Sequence, residues 1–129
     1  MSGCQVIGLD HVSLLVSDLS QSADFYQRVL GLNTLPRPSL GFDGLWLDVG
    51  AGRSIHLMCL PNPDVMVERP EHVGRDRHVA LRVQGLAAAE AVLQAEGVTY
   101  TRSRSGRTSI FCRDPDGNGI ELMAITDDD

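Results

Sequence analysis

Apolar and other side chains alternate from His11 through Val12, Leu14 and Val16, and the rhythm breaks at Ser17-Asp18. A period of two predicts a strand. Leu19, Ser22, Tyr26 and Val29 then fall on one helical stripe, with Phe25 and Leu30 at its margin. Asp18 or Ser20 suits the N-cap, and Gly31 supplies the C-terminal stop. Strands are expected next at residues 44–49 and 53–60, separated by the hairpin turn Gly50-Ala51-Gly52.

The same pattern is written a second time. Residues 11–27 read HVSLLVSDLSQSADFYQ and residues 78–94 read HVALRVQGLAAAEAVLQ. Aligned without gaps, His11 falls on His78, Val12 on Val79, Leu14 on Leu81, Val16 on Val83, Leu19 on Leu86 and Gln27 on Gln94. The second strand breaks at Gln84-Gly85, and its helix stops at Gly97. Strands at 108–113 and 119–125 then flank Asp114-Pro115-Asp116-Gly117-Asn118, a strong turn signal. Each half reads as strand, helix and about three strands. Residues 61–76 carry three prolines and several charges, and read as the connection, with room for a short helical turn.

A helix on one face of each half-sheet leaves the opposite face free to curl into a cup. The repeat puts His11 and His78 at equivalent points of the two first strands, and His56 and Glu121 at equivalent points of the two last strands. His56 and Glu121 each sit between apolar neighbours, so a period of two turns both away from the core. A buried carboxylate needs a partner, and a metal ion is one. Two copies related by a pseudo-two-fold axis would bring His11, His56, His78 and Glu121 together as two symmetric pairs. The bland alternative for each is a hydrogen-bonded core or surface residue. His72 lies in the polar connection without a symmetric counterpart and reads as surface.

With 129 residues the chain fits one domain, spanning 1–129, with modules at about 7–60 and 76–126. A hydrophobic fraction of 43% and a charged fraction of 22% are ordinary for a globular chain. The net charge of −6 and the lack of a basic stripe weigh against nucleic acid. No apolar run approaches the ~20 residues of a membrane span. The start lacks the pattern of a signal peptide, so a cytoplasmic location is expected. Cys4, Cys59 and Cys112 do not make a disulfide framework; Cys59 and Cys112 lie in apolar runs as small hydrophobes. The closing Asp127, Asp128 and Asp129 are expected to fray.

From residue 9 to residue 125 the chain resembles the vicinal-oxygen-chelate superfamily, which includes glyoxalase I, extradiol dioxygenases, methylmalonyl-CoA epimerase, fosfomycin-resistance enzymes and bleomycin-resistance proteins. The marks are Asp10-His11-Val12, Val16-Ser17-Asp18-Leu19 leading to Phe25-Tyr26 and Val29-Leu30-Gly31-Leu32, and Arg113-Asp114-Pro115-Asp116-Gly117-Asn118 before Ile120-Glu121-Leu122. The resemblance implies an α+β fold in which two tandem βαβββ modules form a curved mixed β-sheet cup around a metal. It also implies a homodimer, and in several members each metal site draws ligands from two subunits. It specifies a scaffold more strongly than a reaction.

All four symmetric positions carry a competent ligand, as in the glyoxalase-like and epimerase-like members. Four protein ligands on a six-coordinate ion leave two open positions, too few for a catecholate plus dioxygen and enough for a substrate chelating through neighbouring oxygens. The implied activity is that of a metal-dependent lyase or isomerase of lactoylglutathione lyase type. It would act on a hemithioacetal or related α-hydroxycarbonyl, such as a glutathione adduct, through a metal-chelated enediolate. Glu121 would be the catalytic base. His56 departs from the carboxylate or amide usual at its position. Three imidazoles and one carboxylate suit Zn, Ni, Fe or Mn. The alternatives are a metal-dependent thiol transferase of fosfomycin-resistance type, and a non-catalytic drug- or metabolite-binding protein of bleomycin-resistance type.

By strand phase Ser13, Trp46, Met58, Ser109 and Phe111 face the cup as substrate-binding candidates, with core packing as the other option. Arg75, Asp76 and Arg77 form one charge cluster, and Arg102, Arg104 and Arg107 another. Each reads either as a solvated loop or as a clamp for an anionic substrate. Residues 103–109 resemble the monovalent-cation loop of fosfomycin-resistance enzymes, but Gly106 stands where those carry an acid, so the cation site is not expected.

Overall fold

The structure, a computed structural model, describes residues 3–124. The expected strand end at Ile125 and the tail of Asp127, Asp128 and Asp129 lie outside them. In the first module β1 (His11–Leu15) leads into α1 (Leu19–Ala23), followed by β2 (Asn33–Leu35), β3 (Gly44–Gly50) and β4 (Arg53–Met58). The second module repeats the order with β5 (His78–Val83), α2 (Leu86–Ala95), β6 (Tyr100–Arg102), β7 (Ser109–Arg113) and β8 (Gly119–Ala124). The α+β pair of βαβββ modules is therefore what the chain forms. Each module owns a four-stranded mixed sheet, ordered β1-β4-β3-β2 and β5-β8-β7-β6. In both, the first strand runs parallel to the last, and the remaining pairs are antiparallel.

Local chemistry fixes the ends of these elements. Asp18 is the N-cap of α1, its carboxylate accepting from the Gln21 N–H at 3.1 Å. The helix continues as a π-helical stretch, Asp24–Val29, in which the Leu30 N–H reaches back to the Phe25 carbonyl at 2.9 Å. Ser22, Phe25 and Tyr26 are buried on its inner face, as the stripe predicted. Gly31 and Gly97 take positive φ of 75° and 69° where the two helices end. Strand β4 stops at Met58, short of the expected residue 60, because the Leu60 N–H turns back onto the Met58 carbonyl.

Within each sheet one face is apolar and buried: Leu47, Ile55 and Leu57 in the first, Ile110, Cys112, Ile120 and Leu122 in the second. These side chains, with Tyr26 from the π-helical stretch after α1 and Leu86 and Leu93 from α2, form one core shared by both modules. Burial of this apolar surface is the main stabilising term.

The modules are clasped by polar contacts at the Asp114–Asn118 turn. The Tyr26 hydroxyl donates to Asp114 Oδ2 at 2.7 Å. The Ser17 N–H donates to Asp116 Oδ1 at 3.0 Å, and Asn118 Nδ2 donates to the Leu15 carbonyl at 3.0 Å. Asp114 also ties its own turn, accepting from the N–H groups of Asp116 and Asn118 at 2.9 and 2.8 Å.

The connection crosses the second sheet. Its 3₁₀ turn, Val73–Arg75, packs on β7 and β8. Gly119 permits this approach, since a Cβ there would lie 2.8 Å from both the Arg77 carbonyl oxygen and Val73 Cγ1. Asp76 Oδ2 accepts from Arg69 and Arg113, each at 2.8 Å. Burial alone would raise the Asp76 carboxyl, but hydrogen bonds from Arg113, the Arg77 N–H and Arg69 hold it below the usual carboxylate range.

Candidate metal centre

The parallel pairing of first and last strand decides where the candidate ligands fall. In the first module His11 is level with Ser54, and Ser13 with His56. In the second His78 is level with Gly119, and Ala80 with Glu121. The two registers are identical, so His11 and His78 are equivalent positions, as are His56 and Glu121.

In the first module the imidazoles of His11 and His56 stack, with centroids 3.9 Å apart and planes 11° from parallel. Trp46, opposite His56 on β3, also stacks on it at 4.3 Å and 8°. His11 Nδ1 lies 2.7 Å from Asp10 Oδ1. An ionised carboxylate only accepts, so Nδ1 carries the hydrogen and the Nε2 lone pair is left for another partner. A carboxylate behind an imidazole in this way is the usual support of a metal-ligating histidine. His56 Nε2 is 3.0 Å from Ser54 Oγ. Burial, and then the neighbouring His11 and Arg37, push His56 below the ordinary histidine range against the pull of Asp10. It is therefore held as the neutral donor that a metal takes.

In the second module His78 Nδ1 donates to the Asp76 carbonyl at 2.8 Å, which leaves its Nε2 lone pair facing Glu121 Oε1 at 3.1 Å. Two lone pairs at that distance call for a shared cation: a proton, which makes the contact a hydrogen bond, or a metal that takes both atoms as neighbouring ligands. Glu121 is 3% exposed. Its Oε2 is buried without a hydrogen-bond partner. Such an oxygen loses the solvation it had in water unless something positive replaces it. An orphaned carboxylate oxygen, the bare Nε2 of His11, the His78 Nε2 set against Glu121 and a neutral His56 together fit a divalent transition metal.

One chain does not bring the four candidate ligands to one point. His11 meets His56, and His78 meets Glu121, each pair inside its own module. Among the described residues no group of three or more metal-competent side chains converges. The expected convergence within a single cup is corrected accordingly: the repeat makes positions equivalent, but the two sheets are separate.

The other candidates take the following places. Ser13 is level with His56, and Trp46 is opposite it; Met58 lies two residues beyond on the same face. Phe111 is opposite Glu121, the position equivalent to Trp46, and meets the His78 ring edge-on at 5.4 Å. Ser109 shares that face and is buried with an unpartnered Oγ. His72 is not a plain surface residue. Its Nδ1 accepts from the Gly74 N–H at 3.0 Å, its ring lies 5.3 Å from Phe111, and it lines one pocket with His78 and Glu121. No periodicity marks it, because it belongs to a capping turn.

Residues 8–122 match the profile of the Glyoxalase/Bleomycin resistance protein/Dioxygenase superfamily. The chain is 36% identical over 120 residues to Glyoxylase I 4 of Arabidopsis thaliana, covering 88% of this chain and 68% of that protein. It is 33% identical over 121 residues to the lactoylglutathione lyase of Haemophilus influenzae, covering 88% of this chain and 89% of that one. In fold it superposes with a TM-score of 0.74, at 24% identity and covering 95% of each chain, on a mutant of the fosfomycin resistance protein FosX of Listeria monocytogenes complexed with Mn(II) and 1S,2S-dihydroxypropylphosphonic acid. The paired βαβββ modules, the matched strand registers and the family profile agree: the chain belongs to the glyoxalase, bleomycin-resistance and dioxygenase superfamily.

Proposed function

We propose that this protein is a metal-dependent lyase or isomerase of glyoxalase I type, acting on a hemithioacetal or a related α-hydroxycarbonyl. In this proposal the metal is held by His11 and His56 of one subunit and by His78 and Glu121 of a second copy, in a homodimer. The observation that carries it is the Glu121 carboxylate, buried, with one oxygen against His78 Nε2 and the other unpartnered. The identity to named glyoxalase I relatives supports the choice of reaction.

A divalent ion in this place supplies Lewis-acid stabilisation to the negative charge that develops when a proton leaves carbon beside a carbonyl. The chain's own residues do the rest. Glu121 is the only carboxylate in the ligand set and takes the proton from one carbon, returning it to the next. Phe111, opposite Glu121 on β7, and the 3₁₀ turn packed on β7 and β8 wall the pocket in which that carboxylate stands. Asp10 and the Asp76 carbonyl hold the two first-strand imidazoles in the tautomer with Nε2 bare. Trp46 fixes the plane of His56.

One contact favours a second reading. His56 Nε2 lies within hydrogen-bond distance of the Ser54 hydroxyl. If that bond persists, three protein ligands remain, the set of a thiol transferase of fosfomycin-resistance type.

The test is metal analysis of the purified protein and of His56→Ala, followed by assay of methylglyoxal plus glutathione with Zn, Ni, Fe or Mn restored. Less metal in the variant, and turnover by the wild type, are expected. Unchanged metal content selects the three-ligand reading. Absence of turnover with all four metals removes the glyoxalase reading.

A further inference from the structure

His72 is the N-cap of the 3₁₀ turn before β5, and its Nδ1 accepts from the Gly74 N–H at 3.0 Å. Only a bare ring nitrogen accepts, so the hydrogen of this neutral imidazole is on Nε2. Nε2–H points to the Arg102 carbonyl at the end of β6, at 3.4 Å. That is longer than the usual range of about 2.7–3.2 Å, so a better-placed acceptor displaces it.

Capping alone does not account for a histidine here. Ser, Thr, Asp and Asn are the usual N-caps. The turn is instead shaped around the larger ring: a Cβ on Gly74 would lie 3.0 Å from His72 Nδ1 and Cε1, and 3.2 Å from Phe111 Cζ. The ring is half-buried and lies 5.3 Å from Phe111, which stands opposite Glu121. His72, His78, Phe111 and Glu121 line one pocket of about 370 Å³. A small molecule in that pocket can therefore meet a carboxylate and a neutral N–H donor together.

These two groups are chemically complementary. Loss of a proton from carbon leaves negative charge on the neighbouring carbonyl oxygen, and a preorganised donor at that oxygen stabilises it. A neutral imidazole does this without first taking up a proton, and the backbone N–H on its other nitrogen fixes which nitrogen donates. We infer that His72 is a further catalytic residue, donating its Nε2–H to the substrate oxygen beside the carbon that Glu121 deprotonates. It exchanges the Arg102 carbonyl for that oxygen and keeps its hydrogen throughout. The inference rests on the proposed function for the choice of carbon.

Two replacements separate donation from capping. His72→Asn retains a short cap but has nothing at the Nε2 position. His72→Gln reaches that position with an amide N–H but caps poorly. On the full-length, metal-loaded protein, three quantities are compared: kcat with methylglyoxal plus glutathione, calorimetric affinity for acetohydroxamate, and the urea midpoint. Acetohydroxamate is the binding probe because it chelates through two neighbouring oxygens. His72→Asn is expected to keep its midpoint and metal content, and to lose about 10–100-fold in kcat and about tenfold in acetohydroxamate affinity. His72→Gln should unfold at lower urea yet recover part of both losses. A residue that only caps the turn gives the opposite order, with Asn like the wild type and Gln worse, and that result overturns the inference. A ¹⁵N NMR spectrum with the His72 hydrogen on Nδ1 overturns it as well. The two proposals fail separately. Acetohydroxamate affinity that falls in His72→Asn, without hemithioacetal turnover by the wild type, keeps the donor and removes the glyoxalase reading. Wild-type turnover with an unchanged kcat in His72→Asn does the reverse.

Discussion

Tyr26 and Asp114, 88 residues apart in the chain, share a buried hydrogen bond of 2.7 Å that ties the first module's helix to the second module's turn. Asp114 is 5% exposed, and Tyr26 is fully buried. Tyr26→Phe removes one donor from a buried carboxylate without changing the packing. The expected cost is about 1–3 kcal/mol, read as a lower urea midpoint with an unchanged slope. A changed slope would mean instead that the modules had begun to unfold separately.

Asp10 orients His11 from behind, and the proposal gives it no direct role on the metal. Asp10→Ala should therefore keep the ligand set but weaken metal affinity by about 10–100-fold, measured by competition with a chelator. Equal affinity in the variant would show that the contact is an exposed ion pair and nothing more.

The duplication explains how much of this centre was legible in the sequence. Alternation placed His11, His56, His78 and Glu121 on the face away from the helices, and the matching opening histidines announced two equivalent registers, both of which the strand pairings have. What alternation does not encode is how one sheet lies relative to the other. That is set by the Tyr26–Asp114 clasp and by the connection over β8, which depend on single long-range contacts. His72 escapes the pattern for the same reason: its position follows from a capping turn folded onto Phe111, not from a repeat.

Gly119→Ala tests the crossing of the connection. The added methyl group meets backbone at 2.8 Å, where nothing flexible can give way. We expect a loss of about 1–3 kcal/mol in stability, and a lower metal content, because the displaced residues lead directly into His78.

Cys112 should make the fold sensitive to alkali. Burial, aided by the Asp114 charge, pushes its thiol from 9.0 up to about 12. The folded state thus holds the proton more tightly than the unfolded chain, so this contribution is complete below pH 9.0 and is lost as the pH rises toward about 12. Tyr26 acts in the same sense, raised by burial and by Asp114. Urea midpoints should fall with rising pH across that window, and less steeply in Cys112→Ala. In alkylation at mildly alkaline pH, exposed Cys4 should react while Cys112 stays protected until the chain unfolds.

Trp46 is the single tryptophan of the chain, and it lies flat against His56. Its emission is therefore an intrinsic optical reporter of one half of the centre, free of background from any other indole. Protonation of His56, or its capture by an ion, changes the electron demand of the ring stacked on that fluorophore. The protein carries its own indicator, and occupancy can be followed by quenching in real time, without a label, a substrate or a coupled assay.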